Sequence, residues 1–291
     1  MHRSGFVNII GNPNVGKSTL MNVLTGERLS AVTAKAQTTR HRIMGIISGD
    51  DYQIVYSDTP GIIKPKYKMQ DGMMDFVRTA FTDADVIVYV TDVVETPEKN
   101  TTYIDKISGM DVPLFVIINK IDLTTPEKLN ALSDFWKTLL PRAVVIPVSA
   151  KEKFNVNTLS EAILKVLPEG PAYYPKDELT DKPERFFVSE ILRGKIFENY
   201  DKEIPYCSEV VIELFKEGAD IIHISAVIFM ERDTQKAIII GKKGSALKRT
   251  ATQARKEMER FFNKKIFLQT FVKVKKDWRN NENYLKNFGY I

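Results

Sequence analysis

Residues 11–19 read GNPNVGKST, which sets two glycines and a Lys-Ser pair in the spacing G-x-x-x-x-G-K-[ST] from Gly11 to Ser18. That pattern is a phosphate cradle when it follows a strand and opens a helix, and here "FVNII" precedes it and "STLMNVL" follows. Gly11 and Gly16 permit close backbone turns, so the loop N–H groups face an anion. The helix start adds its dipole. The candidate phosphate-binding residues are Gly11, Asn12, Pro13, Asn14, Val15, Gly16, Lys17, Ser18 and Thr19. Lys17 is expected to reach the β- and γ-phosphates, and the Ser18 hydroxyl to ligand Mg²⁺.

Three short motifs extend the chemistry. In "DTPG", Asp58 can hold Mg²⁺ through water and Gly61 can donate its N–H to a γ-phosphate; Thr59 and Pro60 complete the turn. In "NKID", Asp122 can accept two N–H bonds from guanine, a donor pair that adenine lacks, so the carboxylate selects against ATP. Asn119 and Lys120 belong to the same candidate guanine site. So do Ser149, Ala150 and Lys151 of "SAK", where the Ala150 N–H is placed to meet the guanine oxygen.

Positioning these motifs requires strands that end beside one another. "FVNIIG", "VIVYVTD", "LFVIINK" and "VVIPVSA" are nearly continuous apolar runs, as expected for parallel strands buried on both faces. "RIMGIISGDDYQIVYSDTPG" reads instead as a hairpin across Gly49-Asp50-Asp51. The reading is therefore an α/β domain, with a mostly parallel central sheet flanked by helices and ligands held beyond the strand ends. Taken together and in this order, the motifs resemble those of the translation-factor-like GTPases.

That resemblance assigns "AQTTRHRI" to the first switch, with Thr39 (Thr38 its near competitor) joining Mg²⁺ beside Ser18 and Asp58. It makes "GIIKPKYKMQDGMM" the second, mobile switch. Ile62 stands where Ras-like enzymes carry a glutamine that orients the attacking water, and an isoleucine cannot do that. Related GTPases with asparagine at the position of Asn14 use a bound K⁺, so the resemblance implies slow intrinsic GTP hydrolysis stimulated by K⁺. Asn14 simply shaping the turn is the alternative.

A second glycine loop, "IIIGKKGSALKR", has its glycines too close for a nucleotide cradle. It fits the G-x-x-G loop of a KH domain, in which small residues let a nucleic-acid backbone approach and lysines neutralise its phosphates. The candidate RNA-binding residues are Ile240, Gly241, Lys242, Lys243, Gly244, Ala246, Leu247, Lys248 and Arg249, with Ile240, Ala246 and Leu247 as the groove. "AIII" before the loop reads as a strand end, "CSEVVIELF", "IIHISAVIFM" and "IFLQTFVKVKK" as strands, and "FFVSEILRGKIFENY" as a helix. This order resembles a smaller α+β domain of the type 2 KH class. Trp278, Tyr284, Leu285 and Phe288 near the end are expected to pack onto it.

Charge points the same way. The net charge is +5 over 291 residues, yet residues 241–291 hold 14 Lys and Arg against 4 Asp and Glu, leaving the rest acidic. Such asymmetry indicates an anionic partner, although a solvated helix face would also produce it. One cysteine excludes an internal disulfide and fits a reducing cytosol. No apolar run is long enough to span a bilayer, and the N-terminal residues lack a secretory pattern.

A GTPase domain with "AKAQTTRHRI", followed by a KH domain ending in "VKVKKDW" and "LKNFGY", closely resembles the bacterial Era family. The implied domains are an Era-type GTPase at 1–170, a linker at 171–183, and a KH domain with C-terminal tail at 184–291. The resemblance implies GTP or GDP, Mg²⁺ and K⁺ as ligands, and the 3′ end of small-subunit ribosomal RNA and the 30S subunit as partners. It also implies a role in subunit assembly, a monomeric state, and a cytoplasmic location with peripheral association at the inner membrane face. An RNA-binding assembly factor in which GTP is mainly structural is the alternative.

Overall fold

The structure, a computed structural model, describes residues 1–95 and 101–291. In chain order it begins β1 (Arg3–Gly11), α1 (Lys17–Thr25), β2 (Ile43–Ser48), β3 (Tyr52–Asp58), α2 (Lys68–Thr82) and β4 (Val86–Asp92). It continues α3 (Thr101–Ser108), β5 (Leu114–Asn119), α4 (Pro126–Leu139), β6 (Val144–Pro147) and α5 (Val156–Val166). The six strands form one sheet in the order β2-β3-β1-β4-β5-β6. Only β2 runs antiparallel, paired with β3 across the Gly49 turn. Every residue of β4 and β5 is buried, which is why those strands read as unbroken apolar runs. In this order β1, β3, β5 and β6 deliver their motifs to one end of the sheet.

The second sheet, β7-β8-β9, is built from β7 (Glu209–Glu217), β8 (Ile221–Met230) and β9 (Lys265–Val274). β7 and β8 are antiparallel, whereas β8 and β9 are parallel. The accompanying helices are α6 (Glu184–Asn199), α7 (Asp233–Ile240), α8 (Ser245–Phe262) and α9 (Glu282–Asn287). Val188, Leu192 and Ile196 of α6 pack with Ala254 and Met258 of α8 against Ile222, Ile224 and Ile266 of the sheet. α6 runs unbroken through Gly194. At the chain end Trp278 is buried and meets Phe288 edge-on at 5.5 Å, as the sequence suggests.

One element differs from expectation. Ala237–Ile240 belongs to helix α7, not to a strand end. The Gln235 side chain accepts the Arg232 N–H at 3.0 Å and so starts a helical turn. Within it Ile239 is buried while Ile238 is 52% exposed, a one-sided pattern that a four-residue apolar run cannot reveal.

The chain divides into two compact units, residues 1–30, 39–64 and 73–181, and residues 31–38, 65–72 and 182–291. Two short segments inside the expected 1–170 domain therefore group with the second unit. Within that unit Lys35 pairs with Asp201 at 2.7 Å and Lys68 with Glu282 at 2.8 Å. Both are solvent-facing contacts of the kind that contribute little. Among the described residues no helix is long and apolar enough to cross a membrane.

Truncating Leu192 to alanine removes a fully buried side chain from the core of the second unit. We expect a loss of about 3 kcal/mol. Urea unfolding in a Trp136→Phe background, with Trp278 as the fluorescence reporter, checks this; an unchanged midpoint contradicts it.

Candidate nucleotide site and RNA groove

Helix α1 begins directly after Gly16, whose φ of 95° lies in the left-handed region, and no side chain caps its first turn. Those N–H groups are left open to an anion. A side chain at Gly16 would also meet the Asn119 amide nitrogen at 2.2 Å, so the position excludes any other residue. Lys17 is buried, and its ammonium donates to the Asn12 carbonyl at 2.7 Å across the mouth of the loop. Burial lowers its pKa to about 8, partly opposed by the nearby charges of Asp58 and Glu95.

Ser18, Thr39 and Asp58 meet at one point. The Ser18 hydroxyl donates to Asp58 Oδ2 at 2.7 Å and lies 2.9 Å from Thr39 Oγ1, which itself is 3.3 Å from Asp58 Oδ2. Asp58 Oδ1 is buried with no hydrogen-bond partner. Burial raises the pKa of this carboxyl, while Lys17 and Ser18 oppose the rise. One carboxylate with an unpartnered oxygen and two hydroxyls meeting at one point fit a hard cation, since Mg²⁺ in phosphate sites takes few protein ligands. Thr38 is turned elsewhere, donating to the Lys35 carbonyl at 2.8 Å and contacting Thr33. The geometry favours Thr39 over Thr38.

The other motifs close the site from the side. Thr59 donates to the Ile9 carbonyl at 2.8 Å, and the Ile62 N–H donates to the Gly11 carbonyl at 3.1 Å, laying the "DTPG" turn, with Pro60 and Gly61, against the phosphate loop. Ile62 is buried, 5% exposed. Asn119 donates to the Val15 carbonyl at 2.8 Å and accepts the Ala150 N–H at 3.0 Å. The Ala150 N–H expected at the guanine oxygen is thus engaged by Asn119 here, and Asn119 itself is a clasp. Asp122 accepts the Ser149 hydroxyl at 2.6 Å, which orients the carboxylate. Lys120 donates to the Asn14 carbonyl at 2.6 Å and pairs with Asp92, while Lys151 is exposed beside Glu152. Asn14 holds a φ of 65°, and its residue is exposed.

Helix α8 repeats the arrangement of α1. Gly241 and Gly244 both have positive φ, 73° and 77°, and Lys243 between them adopts 51°. Again no side chain caps the helix, and Lys242, Lys243, Lys248 and Arg249 are exposed around its start. Beside it runs a groove of about 310 Å³ lined by Gly244, Leu247, Lys248, Ala251, Thr252, Arg255, Leu268 and Thr270. Ile240 and Ala246, expected in the groove, are half-buried and pack against the core, as the groove residues Leu247 and Leu268 also do.

A family model described as a 50S ribosome-binding GTPase matches residues 6–120, and a KH domain model matches 203–279. Aquifex aeolicus Era, as a point variant bound to GDP and aluminium fluoride, is 36% identical to this chain. It superposes with a TM-score of 0.94, with 99% of each chain covered. Era in complex with MgGDPNP and nucleotides 1506–1542 of 16S ribosomal RNA is also 36% identical. There the TM-score is 0.95, over 100% of this chain and 99% of that one. The chain belongs to the Era family.

Two features of this Era-family site have no local sequence signal. Glu95 accepts the Thr91 hydroxyl at 2.6 Å and the Asn12 amide at 2.7 Å, placing a half-buried carboxylate behind the phosphate loop. Burial raises its pKa. The groove residues Ala251, Thr252, Arg255, Leu268 and Thr270 come from α8 and β9, and only packing brings them together.

Phosphate contact favours protonated Lys17, so nucleotide binding takes up a proton once the free lysine has begun to lose it. Affinity is then flat below about pH 7, halves by about pH 8 and falls about fivefold more between pH 8 and 9. Fluorescent GDP titrations across that range check it, with Lys17→Met, which has no proton to take up, losing the dependence. A wild-type affinity that holds or rises contradicts the assignment.

Proposed function

We propose that this protein is a GTP-hydrolysing switch that holds the 3′ end of small-subunit ribosomal RNA in its KH groove and acts in 30S subunit assembly. The observation that carries the reading is the meeting of Ser18, Thr39 and Asp58 beside Lys17. Thr39 lies outside the phosphate loop, so a γ-phosphate and its cation give it a reason to be held, and hydrolysis removes that reason. Mg²⁺, held by Ser18, Thr39 and Asp58, would neutralise charge on the phosphates. Lys17 and the open N–H groups of α1 bind the phosphate chain. Asp122, oriented by Ser149, takes the guanine edge and so excludes adenine.

Ile62 is buried and apolar, so it positions no water. We assign that gap to K⁺ at Asn14, whose backbone is pinned in its left-handed turn by Lys120. Steady-state GTP hydrolysis is then faster in K⁺ than in Na⁺, and Asn14→Ala removes the difference. Equal rates in the two salts would leave Asn14 with the turn alone.

For RNA, the exposed lysines around Gly241–Gly244 grip phosphates, and the groove takes unpaired bases. Binding weakens with salt in proportion to the phosphates contacted. The decisive experiment measures affinity for a single strand copying the 3′ tail of the rRNA, in GDP and in a non-hydrolysable GTP analogue at fixed salt. Tighter, sequence-selective binding with the analogue supports the switch, and the ratio gives its coupling free energy. Equal binding supports the second reading, in which GTP is mainly structural. The family also implies a monomer in the cytoplasm with peripheral contact to the inner membrane face. Sedimentation without and with anionic vesicles tests both.

A further inference from the structure

On the side of β9 turned away from α8, the KH sheet is not bare polar surface. β9 alternates strictly: Ile266, Leu268, Thr270 and Val272 turn inward, while Lys265, Phe267, Gln269, Phe271 and Lys273 are exposed. Phe267 and Phe271 are 47% and 49% exposed. They stand about 13 Å apart along the strand. His223, opposite Phe267 in register on β8, tilts against its ring at 5.5 Å. Lys216 faces His223 from β7. Lys273 pairs with Glu213 at 2.9 Å, while Lys216 and Lys265 add positive charge at the same surface.

Phe267 and Phe271 each leave about half their surface to solvent on a pleated face, where a flat ring can stack on them. Leu214 and Ile221 are exposed on the same face, and Gln269 and the lysines at its ends interrupt the apolar surface. Rings for base stacking, cations for phosphate and an amide for base edges are the set used to hold single-stranded nucleic acid. The strip is also continuous with the groove. β9 is an edge strand, and its inward Leu268 and Thr270 line the groove beside α8. A chain leaving the groove needs to cross only that edge to reach Phe267 and Phe271. The loop of a KH domain clamps about four nucleotides, so a longer strand must lie somewhere beyond it.

We propose that the outer face of β9, with His223, is a second RNA contact, a stacking strip that takes single-stranded RNA running on from the groove. This rests on the RNA reading above.

The test uses the full chain and two labelled single strands copying the rRNA 3′ tail, one of about four nucleotides and one of about twelve. The Phe267→Ala/Phe271→Ala double variant is expected to bind the longer strand about tenfold more weakly and the shorter one unchanged. Phe267→Tyr/Phe271→Tyr keeps both rings and should keep wild-type affinity for both, which separates stacking from damage to the fold. Gly244→Asp, in the loop, should weaken both lengths. Unchanged binding of the longer strand by the alanine pair overturns the proposal and leaves the face to a protein partner. Equal loss for both lengths overturns it too, because the strip would then not be a separate contact. If the wild-type chain binds neither strand, the RNA reading itself fails, and the strip with it.

Discussion

The Asn119 side chain donates to the Val15 carbonyl and accepts the Ala150 N–H, tying the phosphate loop after β1 to the loop after β6. β5 lies beside β6 and, across β4, one strand away from β1, and its C-terminal residue reaches both loops. The amide nitrogen sits where a side chain at Gly16 would be, so the left-handed turn that opens α1 and the clasp that holds it require each other. Lys120, the next residue, pins the Asn14 carbonyl and pairs with Asp92 at the end of β4. The phosphate cradle is thus held by the guanine loop, and the two halves of a nucleotide share one hydrogen-bonded frame.

Within that frame the electrostatics are unbalanced in a useful direction. Lys17 and Asp58 are both fully buried from water's point of view, and burial disfavours the charge on each. Their mutual attraction offsets part of this. In the proposed function a phosphate chain would restore a charge partner to Lys17, and a divalent cation would do so for Asp58 and its orphaned oxygen. Such binding would relieve the desolvation that folding left in place. Glu95 adds a carboxylate beside the same loop, and its raised pKa reflects the same scarcity of water.

The two glycine loops solve one problem with one device. In each, a left-handed glycine lets the chain turn into a helix whose first N–H groups have no side-chain cap. What differs is the wall. At α1 the wall is Asn119, Asp58 and Ser149 country, enclosed and polar; at α8 it is the open trough of Leu247, Ala251 and Leu268 with Arg255 alongside. The enclosed site suits a single compact nucleotide, and the trough suits a polymer that enters and leaves.

Residues adjacent in the chain were legible from the sequence. The phosphate loop, "DTPG", "NKID", "SAK" and the G-x-x-G loop are each short enough that backbone geometry and chemistry are written in a handful of neighbours. Long apolar strands were legible for the same reason, since burial on both faces leaves a continuous signature. The four residues Ala237–Ile240 were not, because a run that short has no period and the Gln235 cap decided it. Which of Thr39 and Thr38 lies beside Ser18 was legible only in the fold, a choice between neighbours of identical chemistry. Asn119 as a clasp, Glu95 behind the loop, and Leu268 and Thr270 in the groove were decided by tertiary structure alone. Each joins residues far apart in the chain, and no local pattern records which strand will end beside which.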